Sequence, residues 1–362
     1  MSEIESGLYA VNINEMSDML SNAYISLIKS GTAFSEFPSV MLWGPPGVGK
    51  SQGVRAIAKN IEEKTGKMTV ITDVRLLLFN PVDLRGIPTA NEDKTLAVWL
   101  KPKIFQMDES DGVVNILFLD EISAAPPSVQ SAAYQITLDR AVGEHSLPKN
   151  CIIIAAGNRV TDKSVAYNMP KALANRLCHF EIKGDASSWH DWAVEKGVHE
   201  FVVGYLEYNS VALMRFDPSG TSLAFPTPRS WEMVGNILKT VSDNIGEVFP
   251  MIVGCIGMNA AVGFKEWTEL YKDMPSVADI FEGKEVELPK SDALRTVLRS
   301  SMVAYARKHP DRRLTDNSIE FACKLPWTFR VRLMHDYLQI PSLRPIIRDN
   351  EVFKTAVRNG KI

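Results

Sequence analysis

The sequence predicts an α/β fold built on a parallel sheet and followed by an all-helical region. Three observations carry that reading. Between about residues 38 and 185 the apolar residues fall in short blocks typical of buried parallel strands: SVMLW, MTVITDV, VNILFLD, CIIIAAG and CHFEI. Helical patterns separate several of these blocks, and strands alternating with helices imply a parallel sheet covered on both faces. Beyond about residue 186 the strand-like blocks stop and longer helical patterns take over.

The first helix of the core follows Lys50, where Val54, Ile57, Ala58 and Ile61 share one face and Gly66 offers a stop. A second, PPSVQSAAYQITLDR, opens on prolines and continues with good helix formers. In the C-terminal region SDALRTVLRSSMVAYARKH is the clearest pattern. Ala293, Leu294, Val297, Leu298 and Met302 line one face behind a Ser/Asp start. MPSVADIFEGKEVELPK, residues 274–290, reads as a linker or irregular connection between helices. No internal repeat or low-complexity tract interrupts the chain.

Bulk properties narrow the function. With 362 residues, 45% hydrophobic and 23% charged, the chain has the composition of an ordinary globular protein with two or three domains. A net charge of −3 gives no support to nucleic-acid binding through bulk electrostatics. Cys151, Cys178, Cys255 and Cys323 are scattered without CxxC or Cys/His ligand spacing. That argues against a metal cluster or a disulfide framework and suits a reducing compartment. The N-terminus has acids where a signal peptide needs a basic start. VFPMIVGCIGMNAAVGF, residues 248–264, is a long uncharged run, but it contains a proline, an asparagine and three glycines. It reads as a buried helical segment, not a membrane span, so a cytoplasmic location is expected.

Three strand ends carry the chemistry. GPPGVGKS, Gly44 to Ser51, follows the strand SVMLW and opens a helix, which is the context that gives G-x-x-x-x-G-K-[ST] its meaning. Its glycines let backbone N–H groups converge on phosphate oxygens at the positive end of the helix. Lys50 can reach the β- and γ-phosphates, and the Ser51 hydroxyl can ligate Mg²⁺. NILFLDEIS ends a buried strand in two acids: Asp120 suits holding Mg²⁺ through water, and Glu121 suits orienting or deprotonating the attacking water. CIIIAAGN ends in Asn158, whose amide could hold that water or could simply make a turn.

The order of these elements, with a later arginine and a helical region, resembles the AAA+ ATPases. The closer resemblance is to the MoxR family, a branch whose second helix carries an insertion. GPPGVGKS, DVRLLLFNPVDLRGIP, LFLDEIS, RAVGEHSLPKNCIIIAAGN, ALANRL and FPTPRSWEMV carry the resemblance, from about residue 38 to 240. It implies a nucleotide-binding loop at Gly44, Pro45, Pro46, Gly47, Val48, Gly49, Lys50, Ser51 and Gln52. It implies metal support from Ser51 and Asp120, a catalytic acid at Glu121 and a first sensor at Asn158. Arg176, in ALANRL, falls at the position of an arginine finger, and Arg229, in TPRSW, at that of a second sensor. A local ion pair of Arg176 with Glu181 or Asp185, and an ordinary helix start at Arg229, are the alternatives.

DLRGIPTANEDKTLAVWL resembles the inserted hairpin with NEDK as its turn, and AVGEHSLP resembles a second hairpin before the first sensor strand. Trp43 departs from the pattern, being large for its place before the loop. The organisation implied is an N-terminal helical segment (1–37), a P-loop AAA+ core (38–185), a helical lid (186–275) and a helical extension of the lid (276–362). Expected cofactors are ATP and Mg²⁺. The expected assembly is a homo-oligomeric ring, hexameric in the family pattern, with Arg176 acting on the neighbouring subunit.

The resemblance further implies a chaperone-like remodelling role beside a partner with a von Willebrand factor A domain, without membrane or nucleic acid. Two alternatives are a nucleic-acid motor or loader, suggested by RKHPDRR and RVRLMH, and a nucleotide-gated scaffold with little turnover.

Overall fold

The structure, a computed structural model, describes residues 8–159, 167, 169, 171–215, 221–358 and 360. They divide into two units. One holds the residues up to Ser188 together with Thr227–Arg229; the other holds most of the remainder.

In the first unit the chain runs β1 (Ala10–Val11), α1 (Ile13–Ser30), β2 (Val40–Trp43), α2 (Lys50–Thr65), β3 (Met68–Arg75) and α3 (Pro81–Arg85). A hairpin of β4 (Ile87–Ala90) and β5 (Ala97–Leu100) follows, then β6 (Val113–Asp120) and α4 (Pro127–Asp139). A second hairpin, β7 (Ala141–Val142) with β8 (His145–Ser146), precedes β9 (Cys151–Gly157), α5 (Lys171–Ala174) and β10 (Cys178–Ile182). Six strands form one parallel sheet in the order β1-β10-β2-β9-β6-β3. The fold is thus the expected α/β P-loop architecture, with the five apolar blocks supplying five of the six strands.

The physical reasons are local. Every residue of β9 is buried, as is every residue of β6 before Asp120, as befits central strands covered on both faces. Asn115 is the polar exception in β6, and it is satisfied: its amide donates to the Asp108 carbonyl (2.7 Å) and to Asn150 Oδ1 (3.1 Å). α1 starts in a capping box, with Glu15 N–H donating to Asn12 Oδ1 and Asn12 N–H to Glu15 Oε2. α4 starts at a proline pair and α2 stops at Gly66, as the sequence predicts.

The second unit is helical. α6 (Ala186–Glu195) leads into it, then α7 (Glu200–Tyr208), α8 (Pro228–Thr240), α9 (Ile245–Ile256), α10 (Met258–Lys272), α11 (Val277–Glu282) and α12 (Asp292–Lys308). α13 (Arg312–Ala322), α14 (Trp327–Gln339), α15 (Arg344–Asp349) and α16 (Glu351–Arg358) complete it. Tyr205, Trp231, Phe264 and Trp267 form one aromatic cluster. Phe281, Leu298, Met302, Leu333 and Tyr337 belong to a second core, where Tyr337 Oη donates to Ser318 Oγ at 3.2 Å.

Two readings need correcting here. The stretch at 274–290 contains a helix, α11, capped by Ser276 and closed by Gly283, because burial of Ile280 and Phe281 fixes a segment whose punctuation looked irregular. The uncharged run at 248–264 is two helices broken at Gly257, not one segment. No helix among the described residues is long and apolar enough to cross a membrane.

Candidate functional site

The parallel register gathers the three polar strand ends on one edge of the sheet. Trp43 pairs with Gly157, Leu119 with Ala155, and Asp120 closes β6 beside Arg75 of β3. Residues 44–49 connect β2 to α2, so the loop and the N-terminal turn of α2 sit at this edge, where ligands of open α/β sheets bind. Gly47 (φ 80°) and Gly49 (φ 103°) hold left-handed conformations that a side chain resists. A Cβ on Gly47 would also stand 3.1 Å from Thr227.

Lys50 is the centre of the cluster. Its ammonium donates to the Gly44 carbonyl (2.6 Å), the Pro45 carbonyl (3.2 Å) and Asn158 Oδ1 (3.0 Å). Asn158 is held in turn by its own N–H, which donates to Ser123 Oγ at 2.9 Å. The next residue of α2, Ser51, donates to Asp120 Oδ2 at 3.4 Å, and the Glu121 N–H donates to Asp120 Oδ1 at 2.8 Å. Burial raises the Asp120 carboxyl above its ordinary range, with Asp73 adding to the rise. The Glu121 N–H, Lys50 and Ser51 oppose it. Glu121 has φ 58°, unusual for a residue with a side chain and worth about 1 kcal/mol of local strain. Strain of this kind at a strand end is a feature of functional turns.

A carboxylate penalised for its charge and a hydroxyl at hydrogen-bond range make a hard-oxygen pair that fits Mg²⁺. Pro45, Pro46, Val48 and Gln52 lie on the same loop and first helical turn.

Arg176 lies exposed in the turn between α5 and β10 and makes no hydrogen bond or ion pair among the described residues. The alternative partners have other engagements: Glu181 pairs with Arg159, and Asp185 accepts from Ser188 N–H (2.8 Å) and Oγ (2.6 Å). Arg229, also exposed, stands beside the loop, with its Cβ 3.6 Å from the place a Cβ on Gly47 would take.

Sequence reasoning missed Ser123, Arg159 and the pairing of Trp43 with His179, whose indole N–H donates to Nδ1 at 2.9 Å. The misfit of Trp43 before the loop was the signal for the last. Ser123 ends the LFLDEIS motif and Arg159 follows CIIIAAGN, but their contacts become visible only when the strands are placed side by side.

Residues 39–179 match the model of the ATPase family associated with various cellular activities (AAA). No curated protein matches the chain in sequence. Among solved structures it is similar to a candidate ATPase from Cytophaga hutchinsonii (17% identity, 80% of this chain, 73% of that one, TM-score 0.33). It is also similar to PCH-2 from C. elegans (14%, 71%, 69%, 0.36) and to a RuvB variant from Thermotoga maritima (15%, 80%, 81%, 0.40).

Proposed function

We propose, on the premise that residues 39–179 form an ATP-hydrolysing domain of the AAA family, MoxR-like branch, that the chain is a ring-forming ATPase that remodels a partner protein. One observation supports the site assignment above the others: Lys50, Ser51, Asp120 and Asn158 interlock by hydrogen bonds at the loop end of the sheet.

In this reading the backbone N–H groups of residues 47–51, at the α2 N-terminus, cradle the phosphates. Lys50 exchanges its carbonyl partners for β- and γ-phosphate oxygens. Ser51 and Asp120 would hold Mg²⁺, which when bound supplies charge neutralisation between the phosphates. Glu121 takes the proton from the attacking water, and Asn158, braced by Ser123, orients that water. Arg176 reaches a neighbouring subunit's phosphates, and its exposure without a described partner supports that role. Arg229 contributes from beside Gly47.

A partner bearing a von Willebrand factor A domain and a reducing, cytoplasmic setting belong to the same reading. The four free cysteines support the setting. A second reading, a nucleic-acid motor, draws on the exposed Arg307, Lys308, Arg312 and Arg313. Stimulation of turnover by DNA or RNA that weakens with salt would favour it.

The site assignment is tested by Lys50→Ala and Glu121→Gln. The first should lose ATP binding. The second should bind ATP and lose about 10²–10⁴-fold in turnover. Turnover at the parent rate in Glu121→Gln would remove Glu121 from the mechanism.

A further inference from the structure

Trp43 and His179 join the two ends of the site that the motifs leave unconnected. Trp43 is the last residue of β2, directly before the phosphate loop, and pairs in register with Gly157, directly before Asn158. His179 lies on the neighbouring β10, three residues after Arg176. Their rings lie edge to edge and nearly coplanar, with 6.1 Å between centroids and 18° between planes, and the Trp43 indole N–H donates to His179 Nδ1 at 2.9 Å.

That bond fixes the imidazole's tautomer. An indole nitrogen can only donate, so Nδ1 must offer its lone pair, and the proton of the neutral ring sits on Nε2. Nε2 faces the Ala174 carbonyl at 2.7 Å and therefore donates to it. Ala174 is the last residue of α5, a helix of only four residues, too short to hold its own geometry. The same carbonyl accepts from Leu177 N–H at 3.3 Å, which closes the turn that presents Arg176. The turn is thus gripped at one carbonyl by an imidazole whose orientation is set by the residue preceding the loop.

We infer that His179 is a positioning residue for Arg176. As the Nε2–H tautomer, locked by Trp43, it holds the Ala174 carbonyl and so sets the angle at which the Arg176 side chain leaves the chain. The assignment rests on the proposed role of Arg176. An arginine that must meet a phosphoryl group on another subunit has no tolerance for a floppy base, and displacement by about 1 Å can cost on the order of 10²-fold in rate.

Three substitutions separate the two arms of the imidazole. His179→Gln keeps a donor near the Nε2 position, His179→Asn can accept near Nδ1 but has no donor that reaches the Nε2 position, and His179→Phe keeps a ring with neither. With ATP as the probe, His179→Asn and His179→Phe should lose about 10²-fold in kcat, with KM and nucleotide affinity within about twofold of the parent. His179→Gln should recover most of that loss. By ¹⁵N NMR the parent His179 should carry its proton on Nε2, and Trp43→Phe should show a mixture of tautomers.

Parent-like kcat in His179→Phe, with Arg176→Ala inactive, overturns the His179 assignment alone. So does a loss common to all three variants that includes nucleotide affinity, and so does a proton on Nδ1 in the parent. If Arg176→Ala itself turns over at the parent rate, the reading of Arg176 fails, and the His179 assignment fails with it.

Discussion

Asp120 brings a carboxylate to a place that penalises its charge, and that penalty can be measured. Burial raises its proton affinity above the ordinary range, so the ionised form opposes folding. The favourable contribution of the protonated carboxyl is present at low pH and is lost as pH rises through the raised folded value. Asp120→Asn keeps the shape and removes the charge. With a chelator present near neutral pH it should therefore melt at a higher temperature than the parent. The gap should close as pH falls and the parent's Asp120 protonates. The same variant should lose at least about 10²-fold in Mg²⁺-dependent turnover. A lower Tm would mean that the bonds from Ser51 and Glu121 outweigh the cost of burial. Lys50, Ser51, Asp120 and Asn158 were legible because each sits in a motif or at a strand end. Trp43 and His179 were not, because 136 residues separate them and only the sheet order makes them neighbours.

The two hairpins show what an element needs beyond its own sequence. Both were legible: Asn91 Oδ1 accepts from Thr95 N–H (2.9 Å) and Leu96 N–H (3.1 Å), which builds the turn that NEDK announces. Their clamp was not. Glu144 Oε1 accepts from the Trp99 N–H at 2.9 Å, and the His145 ring Nε2 bonds the Trp99 carbonyl at 2.7 Å. The second hairpin thus grips the free edge of β5. A two-stranded hairpin is marginal by itself, and Ile87, Leu96 and Leu100 are largely exposed here. Releasing the clamp with Glu144→Ala and His145→Ala together should speed amide exchange across residues 97–100 by about tenfold or more, with the exchange of β6 and β9 unchanged. Equal acceleration of β6 would show that the clamp supports the core. α11 was the opposite case. Its six residues are too few for a helical period to show, and burial of Ile280 and Phe281 among the C-terminal helices fixes it between the Ser276 cap and Gly283.

For the whole molecule the testable question is assembly. The sheet, its strand order and the helical second unit follow from patterns that a single chain must satisfy to bury its own apolar surface. A ring adds demands that a single chain does not record in this way. Turnover per protomer should rise with protein concentration, and Arg176→Ala should be nearly inactive. Mixing that chain, whose loop is intact, with Lys50→Ala, whose arginine is intact, should restore activity. No recovery in the mixture, with both variants shown to assemble, would remove the action of Arg176 on a neighbour.

β1 is two residues long, yet it decides where the sheet ends. Ala10 and Val11 cover the outer side of β10, and the Lys183 N–H donates to the Val11 carbonyl at 3.0 Å. Asn12, the next residue, caps α1. An uncovered strand is a template for pairing with another chain. Trimming through Asn12 would strip this cover and the cap together, leaving residues 178–182 as a bare edge next to the arginine turn. Residues 10–12 thus cover a strand edge open to pairing with another chain, on the flank whose arginine is proposed to serve a neighbour.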